Sequence, residues 1–370
     1  MHLLVVSLLA LFASLSLLIV GNSFLITLLG LRFSLLGIEP STIGMVMVCY
    51  SAGFVLGSLY ADRVVRRVGH IRAFAVFSAL AAMAALIYPM TYNVWHWGLL
   101  RGIGGLSIAA LFVTIESWFS AVATNANRSK IFSLYQVAAY SAAASGQLLI
   151  GNGNPINYAL FSMAALFIVA AIIPLSLSRM QSPEVSESAD RMSLFRLARL
   201  APVGVTAAFG SGIFLGSFYS LVPLFASLTG LETAQISYYM FGAILSAMLL
   251  AWPIGWVCDR FRRSSVLMLI SVLAGAACAA NALIVHEAFL PRLIALCLCM
   301  GLASTVYSIA VAITNDMMDS SQIIAASSGL LLSYGLGSVV GPLLSSALME
   351  LFGPPALFQL LALVLALLSG

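Results

Sequence analysis

One acid lies well inside an apolar stretch of this 370-residue chain: Glu116, in Phe112-Val113-Thr114-Ile115-Glu116-Ser117-Trp118-Phe119. A carboxyl in a low-dielectric setting favours its neutral form and can take up and release a proton near physiological pH, which is the chemistry of a proton carrier. The bland alternative, an interfacial charge some two turns from the following loop, stays open. Arg101, in Leu100-Arg101-Gly102-Ile103-Gly104-Gly105, is the cation inside the same stretch. A guanidinium at mid-membrane costs about 2.5–3.5 kcal/mol on insertion scales unless paired or wetted. With about one turn of helix before it, snorkelling to the interface is the competing reading. The 15 residues between Arg101 and Glu116 correspond to about 22 Å of helix. They cannot touch, yet only about 60° of rotation separates them, so they can line one face.

A thinner polar set lies in other apolar stretches: Asn22, Gln136, Tyr140, Gln147, Tyr219, Tyr307, Asn315 and Tyr334. Singly, each is more often a helix–helix hydrogen bond than a ligand contact. Together, on segments one, five, seven, ten and eleven, they suit a central cavity for a neutral, amphipathic or cationic solute. His-Glu-x-x-His, Gly-x-Ser-x-Gly and phosphate-loop motifs do not occur. His2, His70, His96 and His286 are scattered near segment ends, and Cys49, Cys258, Cys278, Cys297 and Cys299 read as reduced packing residues. The expectation is no enzyme, no metal, no cofactor and no nucleic-acid partner. Any accumulation of solute must then run on an ion gradient.

The elements that hold these residues follow from composition. Hydrophobic residues make up 62% and charged residues 8%, with a mean hydropathy of +1.09, which excludes a water-soluble surface. A first apolar run from about Leu3 to Leu29 is too long for a signal peptide and lacks its basic start. Five more follow near 41–61, 71–90, 97–121, 131–150 and 157–177, and six others near 201–228, 235–257, 265–285, 292–314, 323–349 and 355–369. Between the sixes, Ser178 to Leu200 is polar, and Ser193 to Leu200 alternates apolar and basic residues like a short interfacial helix. The expected division is a six-helix bundle at 1–177, a cytoplasmic linker at 178–200 and a second bundle at 201–370. With a cytoplasmic N-terminus, inner loops hold Arg63, Arg66, Arg67, Arg72, Arg128, Lys130, Arg179, Arg191, Arg196, Arg199, Arg260, Arg262 and Arg263, which is 13 of the 16 basic residues. Arg32 and Arg292 lie outside. Both termini are therefore expected in the cytoplasm of a bacterium, with the chain in its inner membrane.

The two halves repeat. Gly57-Ser58-Leu59-Tyr60-Ala61-Asp62-Arg63 finds a counterpart in Gly255-Trp256-Val257-Cys258-Asp259-Arg260, with 197 residues from Asp62 to Asp259. Upstream, Gly37-Ile38-Glu39 matches Gly230-Leu231-Glu232 at an offset of 193. An even number of segments per half makes this a parallel repeat about the membrane normal.

Six plus six segments, a central loop and these glycine-to-Asp-Arg connectors resemble the major facilitator superfamily. Ile115-Glu116-Ser117-Trp118-Phe119 with Ala123-Thr124-Asn125-Ala126-Asn127-Arg128-Ser129-Lys130, and Asn315-Asp316 with Ala325-Ala326-Ser327-Ser328-Gly329-Leu330, are similar to its small bacterial YcaD-like branch. The resemblance implies an all-α fold of twelve transmembrane helices in two pseudo-symmetric bundles. It implies a conformational latch at Gly57, Asp62 and Arg63, with a second copy at Gly255, Asp259 and Arg260, and a place for Arg101 near a proton path. Segment five reads Ser141-Ala-Ala-Ala-Ser145-Gly146-Gln147 where many antiporters carry Gly-Pro, while Gly337 to Pro342 places a Gly-x-x-x-Gly-Pro in segment eleven. The function so implied is secondary, proton-coupled transport of a small organic solute by a monomer in the lipid bilayer, with efflux of amphipathic compounds ahead of uptake. A receptor or scaffold that kept the fold without transport is the alternative.

Overall fold

A computed structural model describes residues 2–122, 128–177, 193–319 and 322–369. The 123–127 part of the branch motif and the 178–192 part of the linker, with Arg179 and Arg191, lie outside the described residues. In an apolar medium every backbone N–H and C=O must be satisfied within its own segment, so apolar runs of this length become helices. The helices are α1 His2–Leu35, α2 Pro40–Val68, α3 His70–Ile87, α4 Val94–Val122, α5 Arg128–Gln147, α6 Tyr158–Ala170, α7 Ile172–Leu177, α8 Leu194–Leu200, α9 Pro202–Leu228, α10 Thr233–Arg260, α11 Arg263–Leu283, α12 Phe289–Ala303, α13 Val306–Asp316, α14 Ile323–Phe352 and α15 Ala356–Leu367. Ten membrane-length apolar spans occur among the described residues, with α6 and α7 forming one and α12 and α13 another. The more polar α5 and the shorter α15 complete the twelve-helix plan.

Two compact units form. The first gathers Met1–Leu35 and Cys49–Ser186, the second Leu36–Val48 and Glu187–Gly370. In the first, α1 packs on α5 and α6, and α3 on α4 and α6. In the second, α9 packs on α14 and α15, and α11 on α12 and α15. The same pairings in the same order are the structural form of the sequence repeat. The opening turns of α2 belong to the second unit because Gly44 lies against Ser346 of α14, and the Ser41 amide donates to the Glu350 carboxylate at 3.1 Å.

Glycines set the closest helix crossings. A Cβ on Gly53 would collide with the Gly102 carbonyl, one on Gly57 with Leu106 and Ala109, and one on Gly105 with the Tyr50 carbonyl, so α2 and α4 meet backbone to backbone. In the second unit, Gly212, Gly337 and Gly341 do the same between α9 and α14, against the carbonyls of Tyr334, Phe209 and Ile213. Gly255, expected to mirror Gly57, is exposed and faces nothing within 4 Å. The second connector therefore repeats in sequence without repeating the contact.

Helix ends and breaks are closed from within. Where α12 gives way to α13, the Ser304 hydroxyl donates to the Gly301 carbonyl at 3.2 Å and Thr305 to the Leu302 carbonyl at 2.7 Å. Arg32 and Arg292 are buried, and each finds carbonyl acceptors: Ile156 and Pro89 for Arg32, and Thr229 for Arg292, whose guanidinium also bonds the Thr229 hydroxyl. On α8, Leu197 is buried over Gly329 while Phe195, Arg196, Arg199 and Leu200 are exposed, an amphipathic turn of the expected kind.

The crossings predict an asymmetry between the two connectors. Gly57→Ala should lower the thermal midpoint of the detergent-purified protein, overpacking costing about 1–3 kcal/mol. Gly255→Ala should leave it within about 0.5 kcal/mol. Differential scanning fluorimetry of the two variants side by side checks this.

Candidate functional site

The α2–α4 crossing brings Tyr50 onto Arg101. Arg101 is 3% exposed, and its guanidinium carbon lies 4.3 Å from the centre of the Tyr50 ring. Arginine cannot shed its charge, so a buried guanidinium needs a negative surface, and the ring face supplies one. The Asn22 side-chain amide donates to the Tyr50 hydroxyl at 3.4 Å, and Tyr88 is buried beside the same space. The Arg101 Nε has no partner. Asn22, Tyr50, Tyr88 and Arg101, with Leu25 and Ile168, line a cavity of about 10 Å3 inside the first unit, the room of roughly one water molecule. The snorkelling reading of Arg101 is thereby corrected: the side chain turns into the bundle because the Tyr50 ring stabilises it there.

Glu116 departs from the expectation in two respects. It lies on an exposed surface of α4, and it has a partner, since the Tyr135 hydroxyl donates to its Oε1 at 2.9 Å. Along α4, Arg101 is buried and Glu116 is exposed. Beside Glu116, the Ser117 hydroxyl is 2.9 Å from the ring Nε2 of His70, which is buried 5.1 Å from Trp118.

Gln147 joins α5 to α1, donating to the Ser23 carbonyl at 3.2 Å. On α5, Gln136 is exposed and Tyr140 half-buried. In the second unit, Tyr307 and Tyr334 meet edge to face at 5.2 Å, and Tyr219 lies edge-on to Phe218 at 5.4 Å. The buried Asn315 Oδ1 has no partner. Next to it, Asp316 forms an ion pair with Arg263, which also donates to the Ala312 carbonyl at 3.1 Å.

Of the latch residues, Asp62 and Asp259 are exposed and make no hydrogen bond or ion pair among the described residues. Their neighbours share another device: Arg63 lies over the Tyr60 ring at 5.1 Å and Arg260 over the Trp256 ring at 3.9 Å. Close to the second connector, the ion pair among the described residues is Arg263 with Asp316. Sequence reasoning also missed Tyr50 and Tyr135 as partners. The signal for Tyr50 was its spacing to Gly53 and Gly57, three and seven residues, which places all three on one face of α2.

Membrane-length helices in two repeated bundles, with a few polar side chains turned inward, define a polytopic membrane protein of the transporter kind. The Major Facilitator Superfamily model matches residues 4–286 and 245–369, and the chain belongs to that family. It is 30% identical over 327 residues to the uncharacterized MFS-type transporter YcaD of Escherichia fergusonii, covering 87% of this chain and 83% of that one. It is 29% identical over 359 residues to the protein of the same name from Salmonella enteritidis, covering 96% and 92%. Among solved structures it is similar to the nucleoside transporter NupG, with a TM-score of 0.74, 16% identity and coverage of 100% and 98%. It is also similar to a D-xylose-proton symporter, with a TM-score of 0.74, 13% identity and coverage of 98% and 96%.

The ring over Arg101 should matter more than its hydroxyl for stability. Tyr50→Leu, which removes the π-face from a desolvated cation, should destabilise the protein by about 2 kcal/mol. Tyr50→Phe should retain most of the wild-type midpoint in the same melt.

Proposed function

We propose that the protein is a proton-coupled secondary transporter of a small organic solute, working by alternating access in a bacterial inner membrane with both termini cytoplasmic. The observation that carries this reading is Glu116, an acid within a spanning helix, open to the surface and held by the Tyr135 hydroxyl at 2.9 Å. The tyrosine gives it a fixed orientation.

Family membership and the likeness to a D-xylose-proton symporter support proton coupling. The likeness to a nucleoside transporter is consistent with an uncharged organic solute. Asn22, Gln136, Tyr140, Tyr219, Tyr307, Asn315 and Tyr334 are the side chains we assign to solute contact, Tyr307 and Tyr334 acting as one aromatic corner. Export of amphipathic compounds ranks ahead of import, since the assigned set is aromatic and amide-rich.

Glu116→Gln mimics the proton-loaded state. In proteoliposomes it should bind and exchange solute while losing accumulation driven by an imposed pH gradient. Gradient-driven flux at the wild-type level in Glu116→Gln would remove Glu116 from the mechanism. At the first connector, Asp62→Asn should reduce transport more than Asp259→Asn and should shift cysteine accessibility between the two membrane faces. Normal transport with unchanged accessibility would leave Asp62 only a role in topology.

A further inference from the structure

Three arginines are buried among the described residues. Arg32 and Arg292 donate terminal N–H groups to carbonyl oxygens, and Arg32, whose Nε has no partner, also lies 5.1 Å from the centre of the Phe161 ring. Arg101 meets a ring face and an empty space.

Arg101, Tyr50, Tyr88 and the Asn22 amide bring donors to that space, and the Asn22 Oδ1 is an acceptor beside them. Arg101 Nε–H is unpartnered. The Tyr50 oxygen already accepts from Asn22, so its own proton is free to point elsewhere. Tyr88 lines the same space. No carboxylate lines the cavity; its other walls are Leu25, Ala81, Ala84, Gly104, Ile108 and Ile168. A fixed positive charge ringed by unspent O–H and N–H donors in an apolar wall has the charge and hydrogen-bonding pattern of an anion site, whereas water would add as many donors as acceptors.

We propose that Arg101, Tyr50 and Tyr88 form a binding site for one monovalent anionic group within the first unit. The cavity of about 10 Å3, the room of roughly one water molecule, limits the occupant to one small ion or one carboxylate oxygen and leaves no room for a phosphate or a whole solute. Two sources share this chemistry. One is a free chloride ion held as a permanent counter-charge. The other is the carboxylate end of an amphipathic solute, which reaches Arg101 when the helices part. In the second case the inference rests on the transporter reading and narrows the solute class to monocarboxylates.

The test uses the purified full chain in detergent. Thermal midpoints are measured at constant ionic strength in sodium chloride, bromide, formate and acetate, with bulky gluconate as the reference anion. A site filled from millimolar anion should raise the wild-type midpoint by roughly 2–4 °C over gluconate. The rise should disappear in Arg101→Gln and persist in Arg101→Lys. Tyr50→Phe, which keeps the ring and loses the donor, should need several-fold more anion for the same rise, and it serves if Arg101→Gln does not fold. A rise in halides alone assigns a free ion; a larger rise in formate and acetate, competed by chloride, assigns a solute carboxylate. Equal midpoints in every anion, or a rise retained in Arg101→Gln, would overturn the site. Proteoliposome flux is scored separately. Proton-driven flux with no anion dependence in the melts removes the anion site and keeps the transporter; anion-dependent melts in a protein without flux do the reverse.

Discussion

The backbone contact between α2 and α4 is the constraint from which the first unit's polar interior follows. Gly53 and Gly57 on one helix and Gly105 on the other leave no room for a Cβ. Lipid tails are as apolar as leucine, so helix association here rests on close van der Waals fit rather than on burial from water. That fit brings Tyr50 flat onto Arg101, one residue before Gly102. A wider crossing would leave the guanidinium without its ring and would open the small cavity beside it. Glycine spacing, aromatic placement and the position of the charge are one solution to the problem of holding a cation in hydrocarbon.

Much of the architecture was legible in the sequence because membrane helices announce themselves locally. Length and apolarity are properties of a segment alone, and so is the repeat between Asp62-Arg63 and Asp259-Arg260. What was not legible is which side chains face each other across segments. Glu116 read as a buried, lone carboxylate; it is exposed and bonded to Tyr135, because the rotation of α4 about its axis is set by the glycine contact with α2. Gly255 read as a copy of Gly57, yet no helix approaches it. Sequence symmetry records common origin, whereas contacts depend on what the neighbouring helix presents. Arg101 shows the same limit from the other side: its cost in hydrocarbon was readable, but its relief came from Tyr50, which carries no charge and draws no attention in an apolar run.

The two connectors share a device that does not depend on the acid. Arg63 over Tyr60 and Arg260 over Trp256 each place a cation on an aromatic face within one turn of its own helix. Such a pair needs no partner from elsewhere in the chain, so it survives rearrangement of the surroundings. The Arg263–Asp316 pair, by contrast, ties the start of α11 to the end of α13 and lasts only while those ends stay together.

The break between α12 and α13 has a mechanical meaning. An uninterrupted helix is stiff along its length, and bending it strips carbonyls of their partners. At Ser304 and Thr305 the hydroxyls already bond the carbonyls three residues back, so the axis can change direction there without exposing a bare oxygen to lipid. The span from Phe289 to Asp316 is therefore two short rods joined at a sealed elbow, with Tyr307 and Asn315 on the second rod.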